Sequence, residues 1–185
     1  MLGEAFDEVI AAARAGAEWA IAALYDELQP PLLAYLRSQE RGEAEDLAAE
    51  VWQGIGEGLS RFEGDEASFR AWAFTIARHR LIDWRRRRAR RPEVVAGDDR
   101  LESISGVEDA ASTAIASVAS EEAIRRIREI LPPDQAEVIM LRVLGDLDAD
   151  QVGRILGKRP GTIRVLQHRA LRRLAEAFSR EDVTP

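Results

Sequence analysis

The sequence predicts an all-α protein of two small helical domains joined by a flexible acidic linker. Three observations lead there. Apolar residues recur at three- and four-residue spacing nearly throughout, the signature of amphipathic helices. Ala, Leu, Arg and Glu are abundant while strand-formers are sparse, and no stretch alternates convincingly between apolar and polar residues. Residues 92–122 hold 8 acids and one arginine, with Gly, Ser and Ala in place of large apolar side chains, so the helical pattern is broken in two. The expected boundaries are 1–91 for the first domain, 92–120 for the linker and 121–185 for the second domain. At 185 residues and 46% hydrophobic content the chain can fill two small cores.

In the first domain, AEDLAAEVW at 44–52 reads as a helix that sets Asp46 and Glu50 four residues apart on one face. The loop RFEGDEAS follows, with Phe62 as an aromatic and Gly64 for a turn. Next, SFRAWAFTIARHRLIDWRRRRARR places Phe69, Trp72, Ala73, Ile76, Ala77, Leu81 and Trp84 at helical spacing, so that one stripe packs inward. His79, Asp83, Arg86 and Arg90 share an outward face. Such a face aligns hydrogen-bonding groups with phosphate-binding ones. Phe62, Phe69, Trp72 and Trp84 beside this track admit two readings. They are either a stacking platform for single-stranded nucleic acid or plain core, and core is favoured for Phe69 and Trp72 because the helix needs that stripe.

The net charge of -7 is unevenly spread. Residues 1–77 carry 15 acids against 5 bases, whereas 78–91 carry 8 arginines against Asp83 alone. Between Asp150 and Glu176 there is no acid at all. A net acidic chain with two separate basic patches is repelled by polyanions in general yet holds one at chosen places. For the first patch taken alone, a solvated arginine-rich face is the alternative.

The second domain has its own grammar. Pro132 and Pro133 open a helix carrying Ala136, Val138, Ile139, Leu141 and Leu144, which Gly145 ends. Asp148 is the expected N-cap of a short helix presenting Val152, Ile155 and Leu156 inward and stopping at Gly157. Pro160 and Thr162 begin a last helix that buries Ile163, Leu166, Ala170, Leu171, Leu174 and Phe178 and leaves Arg164, Val165, His168, Arg169, Arg172 and Arg173 outward. Two helices across a glycine turn, the second basic, describe a helix-turn-helix able to enter a major groove. A helical hairpin without DNA is the alternative, disfavoured because the acid-free run coincides with the recognition helix.

Several classes are excluded or disfavoured. With no cysteine, disulfides and thiolate metal sites are excluded, and the chain is consistent with a reducing cytosol. Acids interrupt the N-terminal apolar stretch, so a secretory leader is not expected, and no run reaches the roughly 18 apolar residues of a membrane span. The only histidines, His79 and His168, have no serine–acid setting. Glu43, Asp46 and Glu50 lack the Glu-x-x-His partners of a di-iron bundle, and no phosphate-binding glycine loop is present. No enzymatic activity, metal or cofactor is expected.

Together, AEDLAAEVW at 44–52, FEGDEASFRAWAFTIARHRLIDWRRRRAR at 62–90 and LPPDQAEVIMLRVLGDLDADQVGRILGKRPGTIRVLQHRALRRL at 131–174 resemble the sigma-70 family, specifically its extracytoplasmic-function group (group 4), over residues 18–178. The resemblance implies an RNA polymerase sigma factor in the cytoplasm whose partners are core polymerase, through its beta and beta-prime subunits, promoter DNA and an anti-sigma protein, with no membrane insertion of its own. By position it assigns core-polymerase binding to Asp46, Leu47, Glu50, Val51 and Trp52, with Leu47 and Val51 packing behind or beside the surface. It assigns capture of the minus-ten element to Phe62, Ser68, His79, Arg80, Asp83, Arg86 and Arg87. Reading of the minus-thirty-five element falls to Arg142, Arg164, Val165, His168, Arg169 and Arg172. His79 stands where relatives often have asparagine, Val165 and Leu166 where serine and arginine are commoner, and Gln167 where an apolar residue is usual. A conventional helix-turn-helix regulator is the alternative, but it leaves AEDLAAEVW and the arginine helix unexplained. A helical adaptor is the least favoured class.

Overall fold

The computed structural model describes residues 2–90 and 122–181, without the side chains of 180 and 181, so the expected acidic linker and the last four residues lie outside it. Eight α-helices and two short 3-10 turns make up the described chain: α1 (Phe6–Arg14), α2 (Glu18–Gln39), α3 (Ala44–Leu59), α4 (Glu66–Arg90), α5 (122–130), α6 (Pro133–Val143), α7 (Ala149–Leu156) and α8 (Pro160–Glu181). No strand occurs among these residues.

The N-terminal half is α2 and α3 packed against α4, with α1 laid on α2. From α2, Leu24, Leu28, Leu32, Tyr35 and Leu36 enter the core, and α3 contributes Ala44, Leu47, Ala48, Val51 and Ile55. Pro30 and Pro31 lie inside α2 without ending it, because burial along this stripe outweighs the hydrogen bonds that the two prolines cannot donate. α4 departs from the single stripe expected of it. Phe74 is fully buried and Arg70 nearly so, while Ile76 and Trp84 are only partly covered. The reason is that α4 is flanked by α2, α3 and α7 and so is enclosed on more than one side.

Arg70 is neutralised in that interior by Glu27 at 3.3 Å and Glu66 at 3.9 Å. The Glu66 carboxylate also accepts from the backbone N–H groups of Leu2 and Gly3, at 2.8 and 2.9 Å, pinning the start of the chain to the first turn of α4.

In the C-terminal half the expected punctuation appears. Pro133 is the first residue of α6, and Asp148 and Gln151 form a reciprocal capping box on α7, both bonds being 2.7 Å. Gly157 ends α7 at φ +64°, a left-handed conformation that glycine adopts without strain. α8 buries Ile163, Leu166, Ala170 and Leu174, but Leu171 and Phe178 are 50% and 42% exposed, against the burial expected of them. The covered stripe is narrow because the helices it meets, α5, α6 and α7, are all short. Phe178 instead has the Arg126 guanidinium over its ring at 6.0 Å.

The two halves do not stand apart. α7 packs on α4 and α6 on α2, and apolar side chains of both halves form one continuous cluster, with a small second cluster of Leu131, Ala136, Ile139, Ala170 and Leu174 in the C-terminal half.

Candidate nucleic-acid interface

The loop between α3 and α4 is built for close approach. At Gly64, where φ is +145°, a Cβ would fall 2.8 Å from the Ser68 Cβ. Asp65 caps α4 by accepting from the Ser68 N–H at 2.8 Å, and the Ser68 hydrogen bonds hold its carboxyl below the usual aspartate range. This turn folds Phe62 back, 8% exposed, onto Trp72 in a stack with centroids 5.2 Å apart and edge-on to Phe69 at 5.4 Å. Phe69 is therefore core. Trp72 is half-buried, and α3 reaches it so closely that a Cβ on Gly58 would lie 2.6 Å from its ring.

Two adjoining hollows open along this surface and share Gly58, Arg61 and Trp72. One, of about 610 Å³, holds Phe62 and Ser68. The other, of about 440 Å³, holds His79, Arg80 and Asp83. Residues far apart in sequence thus line one trough, with a stacking ring between polar groups of the kind an unpaired base accepts. Arg86 sits at the rim, 3.7 Å from Asp83. Arg87 pairs with Glu50 of α3 at 3.1 Å. Sequence reasoning passes over Arg61 as a lining residue, although its adjacency to Phe62 is an available signal.

On α3, Asp46 is exposed and Glu50 half-buried on one face, whereas Leu47 and Val51 are core at 1% and 0% exposure. Trp52 points to the neighbouring face, donating its indole N–H to Gln29 Oε1 at 2.7 Å and meeting Tyr25 at 5.0 Å. Exposed Glu45, Ala49 and Gln53 complete the surroundings of Asp46. The hydrogen bond from Arg37 holds the Glu45 carboxyl below its ordinary range.

On α8, Arg164, Val165, His168, Arg169 and Arg172 are all exposed, and Leu166 is buried. Arg142 is committed within the fold: its Nε donates to Gln167 Oε1 at 3.1 Å and its Nη1 to the Leu147 carbonyl. The polar Gln167 is half-buried and thereby ties α8 to α6. The described residues contain no cluster of metal-ligating side chains, and no helix among them is long and apolar enough to cross a membrane.

Comparison with known proteins matches both halves of the chain. Residues 24–91 match the family model for sigma-70 region 2, and residues 121–174 match that for sigma-70 region 4. The chain is 32% identical to the ECF RNA polymerase sigma factor SigD of Mycobacterium tuberculosis over 95% of its own length and 85% of the relative's. It is also 32% identical to the ECF sigma factor BldN of Streptomyces coelicolor, over 91% of this chain and 64% of BldN. CnrH, solved in complex with the cytosolic domain of CnrY, shares the fold with a TM-score of 0.64 at 18% identity, covering 95% of this chain and 98% of CnrH. The chain belongs to the extracytoplasmic-function sigma factors of the sigma-70 family, the subunits that give RNA polymerase its promoter specificity.

Proposed function

We propose that three surfaces of this chain divide the work of promoter-specific initiation. Asp46 and Glu50, supported from behind by Leu47 and Val51 and flanked by Trp52, bind arginine-bearing clamp helices of core polymerase. Phe62, Ser68, His79, Arg80 and Asp83 take the unwound minus-ten strand into the double hollow, with Arg86 and Arg87 following its phosphates. Arg164, Val165, His168, Arg169 and Arg172 read the minus-thirty-five duplex, on a helix that Arg142 steadies through Gln167. The observation that carries this reading is the trough itself, in which Phe62 and Ser68 meet His79, Arg80 and Asp83 around Trp72 and Arg61.

The chain works as a binding subunit rather than an enzyme, in the cytoplasm where its polymerase is. Residues 1–91 act on polymerase and the opened strand, and 121–185 on duplex. An anti-sigma protein holds the factor in reserve. CnrH, which shares this fold, forms a complex with the cytosolic domain of another protein, CnrY, and that pairing supports a partner of the same kind here.

Run-off transcription with core polymerase over a promoter library tests the assignment. Protein-dependent initiation should be abolished by Asp46→Arg with Glu50→Arg, and His79→Asn should change which minus-ten sequences are enriched, because an amide offers a different donor and acceptor pattern from an imidazole. Binding to a palindromic duplex without polymerase, together with no initiation on any promoter, would make the chain a conventional regulator.

A further inference from the structure

The two hollows of the trough meet at one wall, and a single arginine belongs to both. Gly58, Arg61 and Trp72 line each of them, whereas Arg80 lines only the hollow of His79 and Asp83, and Arg154 of α7 only the other. The backbone at Arg61 is set by two closing turns at the end of α3: its N–H donates to the Gly58 carbonyl at 3.0 Å, and that of Phe62 to the Leu59 carbonyl at 3.2 Å. Its side chain is exposed. Several arginines of α4 are committed within the fold. Arg70 is held by Glu27 and Glu66, Arg87 pairs with Glu50, and Arg78 pairs with Glu137 of α6 at 3.1 Å across the seam between the two halves. The Arg61 guanidinium forms no ion pair or hydrogen bond with any described residue, although Glu57 and Glu63 line the walls beside it.

The charges sort a strand into bases and phosphate. The hollow of Phe62 and Ser68 carries Glu63, and the hollow of His79 carries Glu57 and Asp83. A phosphate inside either one meets a carboxylate, while a base meets rings and hydrogen-bonding groups. Arg80 is laid against α3 at Gly54, one turn from the shared wall, its Nη2 3.4 Å from where a Cβ on that glycine would stand. That leaves Arg61 as the cation at the wall itself. Two neighbouring nucleotides seated one in each hollow bring their common phosphodiester to the same place. We propose that Arg61 is the phosphate clamp of strand capture, holding the linkage between two unstacked bases that Trp72 keeps apart. A guanidinium suits the task because its planar fork engages two phosphate oxygens at once. The clamp rests on the reading of the trough as the strand-capture site, and it adds that the captured bases are adjacent in sequence.

The test uses holoenzyme, the full chain on bacterial core polymerase, and a fork-junction DNA from a promoter enriched in the run-off screen. Its non-template minus-ten strand is left single, and neutral methylphosphonate linkages replace the phosphates one at a time. Binding is followed by fluorescence anisotropy at fixed salt. With the wild-type chain, one linkage should cost about tenfold in affinity when neutralised, the size of a lost charge-assisted contact. Arg61→Ala should cost about tenfold on unmodified DNA and lose nothing further at that linkage, while every other linkage behaves as in wild type. Arg61→Lys should recover part of the loss, since a point charge replaces the fork. Arg86→Ala should also weaken binding but leave the tenfold effect at that linkage in place. Abasic sites at the two nucleotides flanking it should each weaken wild-type binding. The clamp is overturned if Arg61→Ala couples to no linkage, if it couples equally to all of them, or if the flanking abasic sites bind as well as the intact strand. Wild-type holoenzyme that binds the fork no better than core polymerase alone would instead remove the strand-capture reading beneath it.

Discussion

Arg70 shows how much of this protein is decided by single side chains acting across the fold. The residue is 8% exposed and neutralised by Glu27 and Glu66, so removing it leaves two half-buried carboxylates without their cation. Arg70→Ala is expected to cost about 3 kcal/mol of unfolding free energy, and Arg70→Met with Glu27→Gln appreciably less, as read by urea denaturation. Asp148 is the opposite kind of residue, a local device, and Asp148→Ala should cost about 1 kcal/mol by the same measurement through loss of the capping box. The difference also explains what is legible in sequence. Asp148 and Gly157 stand out because caps and left-handed turns are written within a few residues of where they act. The burial of Arg70 depends on a carboxylate 43 residues away, and nothing local distinguishes it from the exposed arginines. Arg142 is assigned to the duplex-reading set by resemblance alone, and only its three-dimensional meeting with Gln167 and Leu147 reveals that its side chain is tied within the fold.

At the scale of elements, helices with one covered face are legible and those with several are not. α3 and α7 expose a clear polar side, and their buried positions match three- and four-residue spacing. α4 does not, because α7 covers part of the face that sequence periodicity assigns to solvent, and Phe74 is claimed by a neighbour the period cannot reveal. α8 errs the other way, leaving Leu171 and Phe178 outside a stripe that short partners cannot widen. The trough is legible only as a set of residues and not as a shape. What shapes it is the approach of α3 to α4 at Gly58, where any side chain collides with Trp72. Gly58→Val should destabilise the fold by about 1–3 kcal/mol in thermal unfolding and reduce initiation more than a surface substitution of equal stability cost, because it displaces the ring between the two hollows. On α8, Arg169→Ala should weaken promoter binding by the holoenzyme and lower the slope of log affinity against log salt by about one.

The whole molecule is less divisible than its charge pattern suggests. Composition marks two helical segments around an acidic stretch, and the helices fall on either side of it as expected. What composition does not express is that their apolar faces are complementary and merge into one cluster. Cooperative unfolding follows: differential scanning calorimetry of the full chain should show one dominant transition, and Glu137→Arg should resolve a second, lower one as the C-terminal half uncouples. The small cluster of Leu131, Ala136, Ile139, Ala170 and Leu174 is all that half then retains for itself.

The seam's composition also makes the molecule responsive to cold. Val138, Met140, Leu141, Val152 and Ile155 lie in the same cluster as Leu32, Tyr35, Phe74 and Leu81, so closure is driven mainly by the exclusion of water from apolar surface. That force fades on cooling, while an ion pair such as Arg78–Glu137 has no comparable loss. A chilled cell would therefore hold a larger share of this factor with its two halves apart, before any other molecule had touched it.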